Sequence, residues 1–367
     1  MSARFHTTYH VCCPADEIED RARGIAVEQS VEMPLAAIED ARVLAEIVGE
    51  VAGITDLGEG VFEVRIALAT ETVGEDAGQM LNMILGNTSM HACVSLVDVE
   101  IPPAFAAIFG GPRHGLEGLR QRVGAGRRPL TATAIKPQGL PVPALARLAH
   151  LLALGGLDYI KDDHSHADQA FSPFATRVPA IAEAVRRAAA ETGHPTRYVP
   201  MLNGDWGRMQ AQLRLARECG IDTVMMAPML SGVATLAAIA REWPEMAILA
   251  HPSMTGGGQL APDLLFGKLF RLWGADALIF ANYGGRFGFS RNMCRRLSAE
   301  ALAPLHGMRS SAPTPAGGME LARVPELLDF FGPDVMLLIG GSLLLARQRI
   351  PEVGAAFHRA VAEYFVP

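Results

Sequence analysis

A repeated alternation of short apolar runs and amphipathic stretches constrains the fold most strongly; it begins near residue 129 and continues to the end of the chain. Each run is rich in β-branched or other apolar residues and is followed by an Ala-, Leu- and Arg-rich stretch with helical spacing. The pattern predicts eight strands: Leu130–Lys136, Asp158–Asp162, Tyr198–Leu202, Thr223–Ala227, Ala247–His251, Ala277–Ala281, Arg309–Pro313 and Val335–Ile339. The clearest helical stretches are VPALARLAHLLAL, PFATRVPAIAEAVRRAAAE, RMQAQLRLARE, GVATLAAIAREW and VGAAFHRAVAEYF.

Eight strands, each followed by a helix or by room for one, predict an α/β fold of the (β/α)8 TIM-barrel type, which usually takes about 250 residues. A doubly wound open sheet shows the same alternation and is the rival fold. The count of eight strands and the lack of a GxGxxG motif after the first strand favour the barrel.

The first part of the chain has a different pattern and predicts a smaller α+β domain of the ferredoxin-like kind. FHTTYHVCC, VFEVRIALAT and ACVSLVDVEIP have the alternation of strands, and EIEDRARGIAVEQS and AGQMLNMILGN have helical spacing. We therefore expect an N-terminal domain over residues 1–125 and the barrel over residues 126–367. The Gly- and Arg-rich segment GGPRHGLEGLRQRVGAGRRP is expected to join them.

The composition is that of a folded globular protein, with 50% hydrophobic and 19% charged residues. A net charge of -7 without a basic block argues against a nucleic-acid partner. Five cysteines without a CxxC pair suit reduced thiols in the cytoplasm. The first ten residues have no apolar signal core, and no apolar run is long enough to span a bilayer, so we expect a soluble cytoplasmic protein without membrane contact.

Reactive groups in such barrels lie at the carboxyl ends of the strands. Lys136 and Gln138 end the first predicted strand, and Lys161, Asp163 and His164 end the second. Lys161 and Asp163 share one side of an extended strand, because side chains alternate with period two. A carboxylate and an imidazole at neighbouring positions can hold a divalent metal ion, whereas the structural alternative for Lys136 is an ordinary ion pair.

The later strand ends add a histidine and two glycine pairs. His251 follows the fifth strand, where it could act as a general acid, base or orienting group, or simply be a buried, hydrogen-bonded histidine. Gly317-Gly318 and Gly340-Gly341 follow the seventh and eighth strands, where barrels commonly bind phosphate. Together these residues predict a site for a phosphorylated carbonyl compound, in which a metal ion stabilises the enediolate formed by proton removal.

The segment GGLDYIKDDHSHADQAFSPFATRV resembles the RuBisCO large-subunit signature, GGxDxxKDDE followed by a helix. The motifs VEQS, GN, IKP, KDD, HPSM, AGG and IGG also occur in the order of that family, over nearly the whole chain. The likeness implies that Lys161 is carbamylated by CO₂ and binds Mg²⁺ together with Asp163. His164 stands where RuBisCO has a glutamate ligand. Lys136 would act on the enediolate, and His251 would lie near the substrate.

The likeness has further implications for substrate binding and assembly. Gly317, Gly318, Gly340 and Gly341 match the phosphate loops of the family. In the smaller domain, Glu28 of VEQS and Asn87 of GN match residues that reach into the active site of the partner subunit. The resemblance therefore implies a homodimer with shared active sites.

Several departures from RuBisCO point to its RuBisCO-like branch, often called form IV. Gln138 replaces a second lysine, Pro252 replaces a phosphate-binding arginine, and the histidine of strand six is replaced within FANYGGRFGFS. The loop that carries the carboxylation lysine is shortened, which leaves Arg286 nearby. We expect Gln138 and Arg286 to contact substrate instead. These changes imply an isomerase or lyase that does not fix CO₂ and that acts on a substrate with one phosphate.

Two substrates fit this branch: 5-methylthioribulose 1-phosphate, which is isomerised, and 3-oxo-isoapionate 4-phosphate, which is decarboxylated. The sequence does not rank them. Two other hypotheses remain open at this point. One is an aldolase-like barrel in which Lys136 or Lys161 forms a Schiff base, and the other is a catalytically silent regulatory protein. His166 is expected to lie in a loop facing solvent or substrate, and Met225 and Met226 are expected in the core.

Overall fold

An antiparallel sheet of four strands, in the order β2-β3-β1-β4, forms the first part of the fold. Phe5, Tyr9 and Val11 of the first strand are buried at alternating positions, and Tyr9 Oη donates a hydrogen bond to the carbonyl of Ile84 at 2.6 Å. The elements of this part are β1 (Arg4–Cys12), α1 (Ile18–Glu28), β2 (Glu50–Asp56), β3 (Val61–Ala69), α2 (Ala77–Ile84), β4 (Val94–Val99) and α3 (Pro103–Phe109).

The sequence predicted three of these strands and the helices α1 and α2, but it missed β2 and the short helix α3. This strand pairs only with β3, contains Gly53 and buries none of its residues. It therefore lacks the apolar alternation that identifies a half-buried strand.

Eight parallel strands form the barrel, in the order β7-β6-β5-β12-β11-β10-β9-β8, so the predicted TIM-barrel fold is confirmed. A parallel bridge between Met201 and Met225 closes it between the outer strands of this order. The strands are β5 (Leu130–Ile135), β6 (Tyr159–Asp162), β7 (Arg197–Val199), β8 (Thr223–Met226), β9 (Ala247–Ala250), β10 (Ala277–Ala281), β11 (Ala312–Ala316) and β12 (Met336–Ile339). The helices are α4 (Gly115–Arg122), α5 (Val142–Leu154), α6 (Phe174–Thr192), α7 (Trp206–Glu218), α8 (Pro228–Ser231), α9 (Val233–Glu242), α10 (Arg291–Leu302), α11 (Val324–Phe331), α12 (Gly341–Leu344) and α13 (Ile350–Ala362), with a π-helical segment at Leu264–Phe270.

The structure is a computed structural model that describes residues 3–365, and it divides into two compact units. One unit runs up to Gly110 and includes Thr255–Leu265, and the other holds Gly111–Met254 and the residues from Phe266 onward. Within residues 3–365, no helix has the length and apolar character that crossing a membrane requires.

The segment that was expected to join the domains instead contains α4, which packs against the amino-terminal end of the barrel. Leu116 and Leu119 belong to the barrel core, and Tyr159 of β6 donates a hydrogen bond to the carbonyl of Leu119 at 2.7 Å. The buried carboxylate of Asp276 accepts hydrogen bonds from the backbone N–H groups of His114 and Gly115. These contacts explain why the units divide at Gly110, before the boundary expected near residue 125.

The seventh barrel strand lies three residues later than predicted, at APTPA rather than over Arg309–Pro313. The Ala312 N–H donates to the Asp276 carbonyl beside β10, so the N–H positions of residues 313 and 315 face β12. Both of these residues are prolines, which donate no hydrogen bond, and β11 pairs with β12 only at Ala316. Proline is rare in a central strand, and this is why the sequence pattern misplaced the element.

Candidate active site

Alternation along each barrel strand determines which side chains reach the barrel mouth. Leu130 and Ala132 of β5 and Tyr159 of β6 point into the barrel core. The same inward series continues to Lys136, directly after β5, and to Lys161 of β6 and Asp163, directly after β6. Because Ala134 pairs with Lys161, the charged groups of the two strands lie at one level. On β9 the inward series of Ala247 and Leu249 continues to His251, directly after the strand.

Asp163 is the centre of the polar half of the mouth. Its carboxylate is buried and forms an ion pair with Lys136 through Oδ2. Oδ1 accepts hydrogen bonds from the backbone N–H of Ser165 at 3.0 Å and from its hydroxyl at 2.7 Å. Burial alone would raise the pKa of Asp163, but the bonds from Lys136 and Ser165 outweigh it and hold the pKa well below its usual range. This carboxylate is therefore ionised at neutral pH.

Lys161 is buried beside Asp163, with only 4% of its surface exposed. Its Nζ donates a hydrogen bond to the carbonyl of Asp162 at 3.0 Å. Burial lowers the pKa of Lys161 to about 8, although the charge of Asp163 opposes the shift. A substantial fraction of this amine is therefore neutral near pH 8, and a neutral amine is the form that reacts with CO₂ or a carbonyl carbon.

Two histidine rings form one wall of the site. The imidazoles of His164 and His251 stack with ring centroids 4.5 Å apart and an interplanar angle of 8°. His251 Nδ1 lies 2.9 Å from the hydroxyl of Ser253. Burial and the charge of Lys161 lower the pKa of His251 to about 2. Burial also lowers the pKa of His164, against the charge of Asp163. Both rings are therefore neutral at physiological pH, so neither repels a cation.

The opposite half of the mouth is built from small residues. The inward series of β10, β11 and β12 ends at Ala281, Ala316 and Gly340. Gly317 follows with a φ of +95°, and a Cβ atom built on Gly317 or Gly340 would meet no atom within 4 Å. Backbone N–H groups are thus accessible there without side chains in the way. The structure thereby brings both predicted glycine pairs, which include Gly318 and Gly341, to the same end of the barrel as Lys161 and Asp163.

Other residues predicted to contact substrate are placed at the rim or in the smaller unit. Gln138 is exposed and donates to the carbonyl of Ser165 at 3.3 Å. Arg286 is exposed, and its guanidinium lies over the ring of Phe287, 5.0 Å from the ring centroid. Burial is the main cause of the lowered pKa of His164, and the charge of Arg286 adds to this effect.

In the smaller unit, Asn87 Nδ2 donates to Glu28 Oε1 at 2.8 Å, so these two residues form one polar cluster. His166 lies in the loop after β6, as predicted, but its side chain is fully buried, so the expectation that it faces solvent or substrate was wrong.

Lysine usage is a signal that sequence reasoning missed. The chain has three lysines, Lys136, Lys161 and Lys268, and therefore 29 arginines among its 32 basic residues. Two of the three lysines meet at the barrel mouth. Lysine, unlike arginine, has a primary amine that can react once burial lowers its pKa, so the two lysines at the mouth are the candidates for amine chemistry.

The residues at the mouth fit a divalent cation if Lys161 carries a carbamate. Without it, Lys136 and Lys161 contribute two positive charges against one negative charge from Asp163, and a cation would be repelled. Addition of CO₂ to Lys161 replaces a positive charge with an anionic oxygen donor. Two anionic oxygen ligands and the neutral imidazole of His164 are a suitable donor set for Mg²⁺ or a similar ion. The imidazole carries one negative charge less than the glutamate of RuBisCO at this position.

A second group with metal-like spacing lies at the opposite end of the barrel. Potential ligand atoms of Asp158, His194 and His358 lie within 4.8 Å of one another. However, both oxygens of Asp158 accept hydrogen bonds from Arg128, at 2.7 and 2.8 Å, and Thr131 donates to one of them as well. Burial would raise the pKa of Asp158, but the Arg128 and His194 contacts hold it at about 2. We interpret this group as a structural ion-pair cluster, because both oxygens of the Asp158 carboxylate already accept hydrogen bonds from the Arg128 guanidinium.

This cluster makes stability depend on pH. Burial lowers the pKa of His358 from 6.5 to about 4, against the charge of Asp158. The unfolded chain therefore binds the proton first, and the stability that neutral His358 contributes is complete above pH 6.5 and is lost as the pH falls toward 4. Between these two pH values the free energy of unfolding should fall about 2 kcal/mol less in His358→Gln than in the unmodified protein, a figure discounted for the partial exposure of His358. Urea unfolding at pH 6.5 and at pH 4 would measure both falls. An equal fall in the two proteins would show that His358 does not cause the pH dependence.

Comparison with known proteins identifies the family. Residues 115–359 match the family described as the ribulose bisphosphate carboxylase large chain, catalytic domain. The 5-methylthioribulose-1-phosphate isomerase of Rhodospirillum rubrum is 54% identical over 99% of this chain and 97% of its own length. Ribulose bisphosphate carboxylase-like protein 1 of Rhodopseudomonas palustris is 51% identical over 99% of both chains. A crystal structure of a Rubisco-like protein from Rhodopseudomonas palustris covers 100% of both chains with 47% identity and a TM-score of 0.93.

The chain belongs to the family of the RuBisCO large chain. Within that family, two relatives at more than half identity are a RuBisCO-like protein and an isomerase, so the chain falls in the RuBisCO-like, non-carboxylating branch. The resemblance stated from the sequence motifs is thereby confirmed.

Proposed function

We propose that this protein is an Mg²⁺-dependent isomerase of 5-methylthioribulose 1-phosphate that works through an enediolate and does not fix CO₂. The observation that carries the proposal is the division of one barrel mouth into two halves. Lys136, Lys161 and Asp163 line one half, and the two glycine pairs line the other. The name of the 54% identical relative supports this substrate over a decarboxylated keto-acid.

In this proposal the carbamylated Lys161, Asp163 and His164 hold the metal ion. When bound, Mg²⁺ would polarise the substrate carbonyl and stabilise negative charge on its oxygen. Lys136, which forms an ion pair with Asp163, would donate a hydrogen bond to the same developing oxyanion. His251 is neutral, and its Nδ1 is engaged by Ser253, so Nε2 is the atom that would bind a substrate hydroxyl.

The phosphate end of the substrate would lie against Gly317, Gly318, Gly340 and Gly341. Backbone N–H groups would bind the phosphate oxygens there, as in other phosphate-binding barrel loops. Pro252 stands in place of a second phosphate clamp, so the distal end of the substrate need not be charged.

Three exposed apolar side chains occupy the rim above the carboxyl ends of neighbouring strands. Leu230 follows β8, Met254 follows β9 and Phe287 follows β10, with exposed fractions of 59%, 72% and 58%. Burial of such side chains against an apolar group is favourable because it removes apolar surface from water. A charged or hydroxylated group in the same place gives no such gain. This rim supports a substrate whose distal end carries a methylthio group.

A specificity change is expected from Phe287→Ser. We expect kcat/KM to fall about tenfold for 5-methylthioribulose 1-phosphate and to change less than about twofold for ribulose 1-phosphate, which has a hydroxyl in place of the methylthio group. Steady-state assays with both compounds would measure the difference. Leu57→Ser, in the exposed turn between β2 and β3, is the matched control. An equal fall for the two substrates would contradict an apolar contact at the rim.

We further propose a cytoplasmic homodimer in which Glu28 and Asn87 complete the active site of the partner subunit. Their mutual hydrogen bond supports the proposal, because it holds the two side chains as a single polar cluster. Analytical ultracentrifugation at micromolar concentration should give a dimer or a multiple of it, and a monomer would contradict the proposal.

The proposed reaction can be tested directly by NMR. The protein is incubated in D₂O with Mg²⁺, bicarbonate and 5-methylthioribulose 1-phosphate, and an isomeric product with deuterium at the carbon next to the carbonyl is expected. In parallel, 3-oxo-isoapionate 4-phosphate tests for CO₂ release, and borohydride trapping tests for a Schiff base. Absence of product and of exchange, or trapping of a covalent adduct, would overturn the proposal.

A further inference from the structure

The strand that carries the proposed metal ligands has a second polar face, directed away from the mouth. Asp162 lies between Lys161 and Asp163 on β6, so its side chain points to the opposite side of the strand. It is fully buried, and Oδ1 accepts a hydrogen bond from Tyr198 Oη at 2.8 Å. Oδ2 accepts from the backbone N–H of Met201 at 3.1 Å. Asp162 thus connects β6 to the end of β7.

Arg177 of α6 is the buried cation of this face. Its Nη2 lies 3.3 Å from Asp162 Oδ2, and no part of either side chain is exposed. Its Nη1 donates to the carbonyls of Ala167 at 2.8 Å and Ser172 at 2.6 Å. One guanidinium therefore holds two points of the loop that begins at Asp163, and it ties them to the strand from which the loop emerges.

The same loop is held at a third point. Asn203 Nδ2 donates to the carbonyl of His166 at 2.6 Å, and the His166 ring is buried with Nδ1 3.6 Å from Asp162 Oδ1. A buried ion pair contributes little to stability, because desolvation offsets its Coulombic attraction. The ion pair of Asp162 and Arg177, together with the other contacts, instead fixes the position of the backbone on both sides of Asp163 and His164.

We propose that Asp162, Arg177 and Tyr198 form a positioning network that presets Asp163 and His164 for metal binding. The inference rests on the proposed function, because it assumes that those two residues are ligands. Without the network, the loop after β6 would have to be ordered when the metal binds, and that ordering would lower the affinity. The three side chains are buried on the outer side of the strands, away from the barrel mouth.

Two tyrosine variants test the proposal. Tyr198→Phe removes the hydroxyl that donates to Asp162, and Tyr159→Phe removes a hydroxyl that donates to the carbonyl of Leu119 at the amino-terminal end of the barrel. Both tyrosines are buried, so both variants should lose similar stability. We expect Tyr198→Phe to weaken Mn²⁺ binding about tenfold and Tyr159→Phe to leave it unchanged. Mn²⁺ binding is measured without substrate, in bicarbonate buffer, by electron paramagnetic resonance of the free ion.

Arg177→Lys and Arg271→Lys give a second matched pair. Both arginines are fully buried, but within residues 3–365 the hydrogen bonds of Arg271 go to four backbone carbonyls, those of Glu300, Ala303, Met308 and Arg309. Only the Arg177 variant should bind Mn²⁺ more weakly. Equal Mn²⁺ affinities within both pairs, with normal binding by the unmodified protein, would overturn the positioning network alone. Failure of the unmodified protein to bind Mn²⁺ would overturn the proposed metal site and this inference with it.

Discussion

Lys161→Ala is expected to abolish Mg²⁺-dependent isomerisation, with kcat/KM lowered on the order of a thousandfold or more. The variant removes the amine that would carry the carbamate, and with it one of the two anionic oxygen ligands. It also leaves Asp163 paired with Lys136, so the remaining charge at the mouth no longer favours a divalent cation. Turnover of 5-methylthioribulose 1-phosphate, measured against Mg²⁺ concentration, would show the loss.

The scarcity of lysine provides the control for this variant. Lys268→Ala removes the third lysine of the chain and should leave turnover within about twofold of the unmodified protein. With ¹³C-bicarbonate, the unmodified protein should show one carbamate resonance that is absent in Lys161→Ala and present in Lys268→Ala. Unchanged activity of Lys161→Ala would show that the metal site has been assigned to the wrong residues.

Gly317→Val is expected to have the second largest effect, a fall in kcat/KM of about a hundredfold that comes mainly from a raised KM. The glycine has a φ of +95° and open space where a side chain would project. A valine would fill the space proposed for the phosphate and would strain the backbone that presents the N–H groups. Steady-state kinetics with the phosphorylated substrate would measure the change.

Backbone strain alone can be separated from loss of the phosphate site. Gly193 ends α6 at the amino-terminal side of the barrel, with a φ of +74° and nothing within 4 Å of a built Cβ. Gly193→Val should therefore destabilise the fold comparably without raising KM. A similar KM in the two variants would argue against a phosphate at Gly317.

The barrel could be predicted from the sequence because its strands and helices differ in period. VPALARLAHLLAL coincides with α5, and Ala277–Ala281 coincides with β10. The predictions failed where tertiary contacts override local pattern. β11 contains two prolines and is stabilised mainly through β10, and α4 forms in a Gly- and Arg-rich segment because its leucines complete the barrel core.

The sequence predicted which residues face the barrel mouth, because the strand ends and the period-two alternation bring Lys136, Lys161 and Asp163 together. It did not predict which of these side chains contact one another. Neither the ion pair of Lys136 with Asp163 nor the stacking of His164 on His251 follows from spacing along separate strands.

The contacts of Asp162 also could not be predicted from the sequence, because they involve Arg177 from the following helix and Tyr198 from the next strand. The low number of lysines relative to arginines, by contrast, is visible in the sequence alone and strengthens the assignment of Lys136 and Lys161.

A crystal structure of the protein with Mg²⁺, bicarbonate and 5-methylthioribulose 1-phosphate would show where the metal ion and the phosphate bind. We expect a metal ion between a carbamylated Lys161 and Asp163, with the phosphate against Gly317 and Gly340 across the same mouth. A metal ion at Asp158 and His194 instead, or a phosphate bound away from both glycine pairs, would show that the proposed site is wrong.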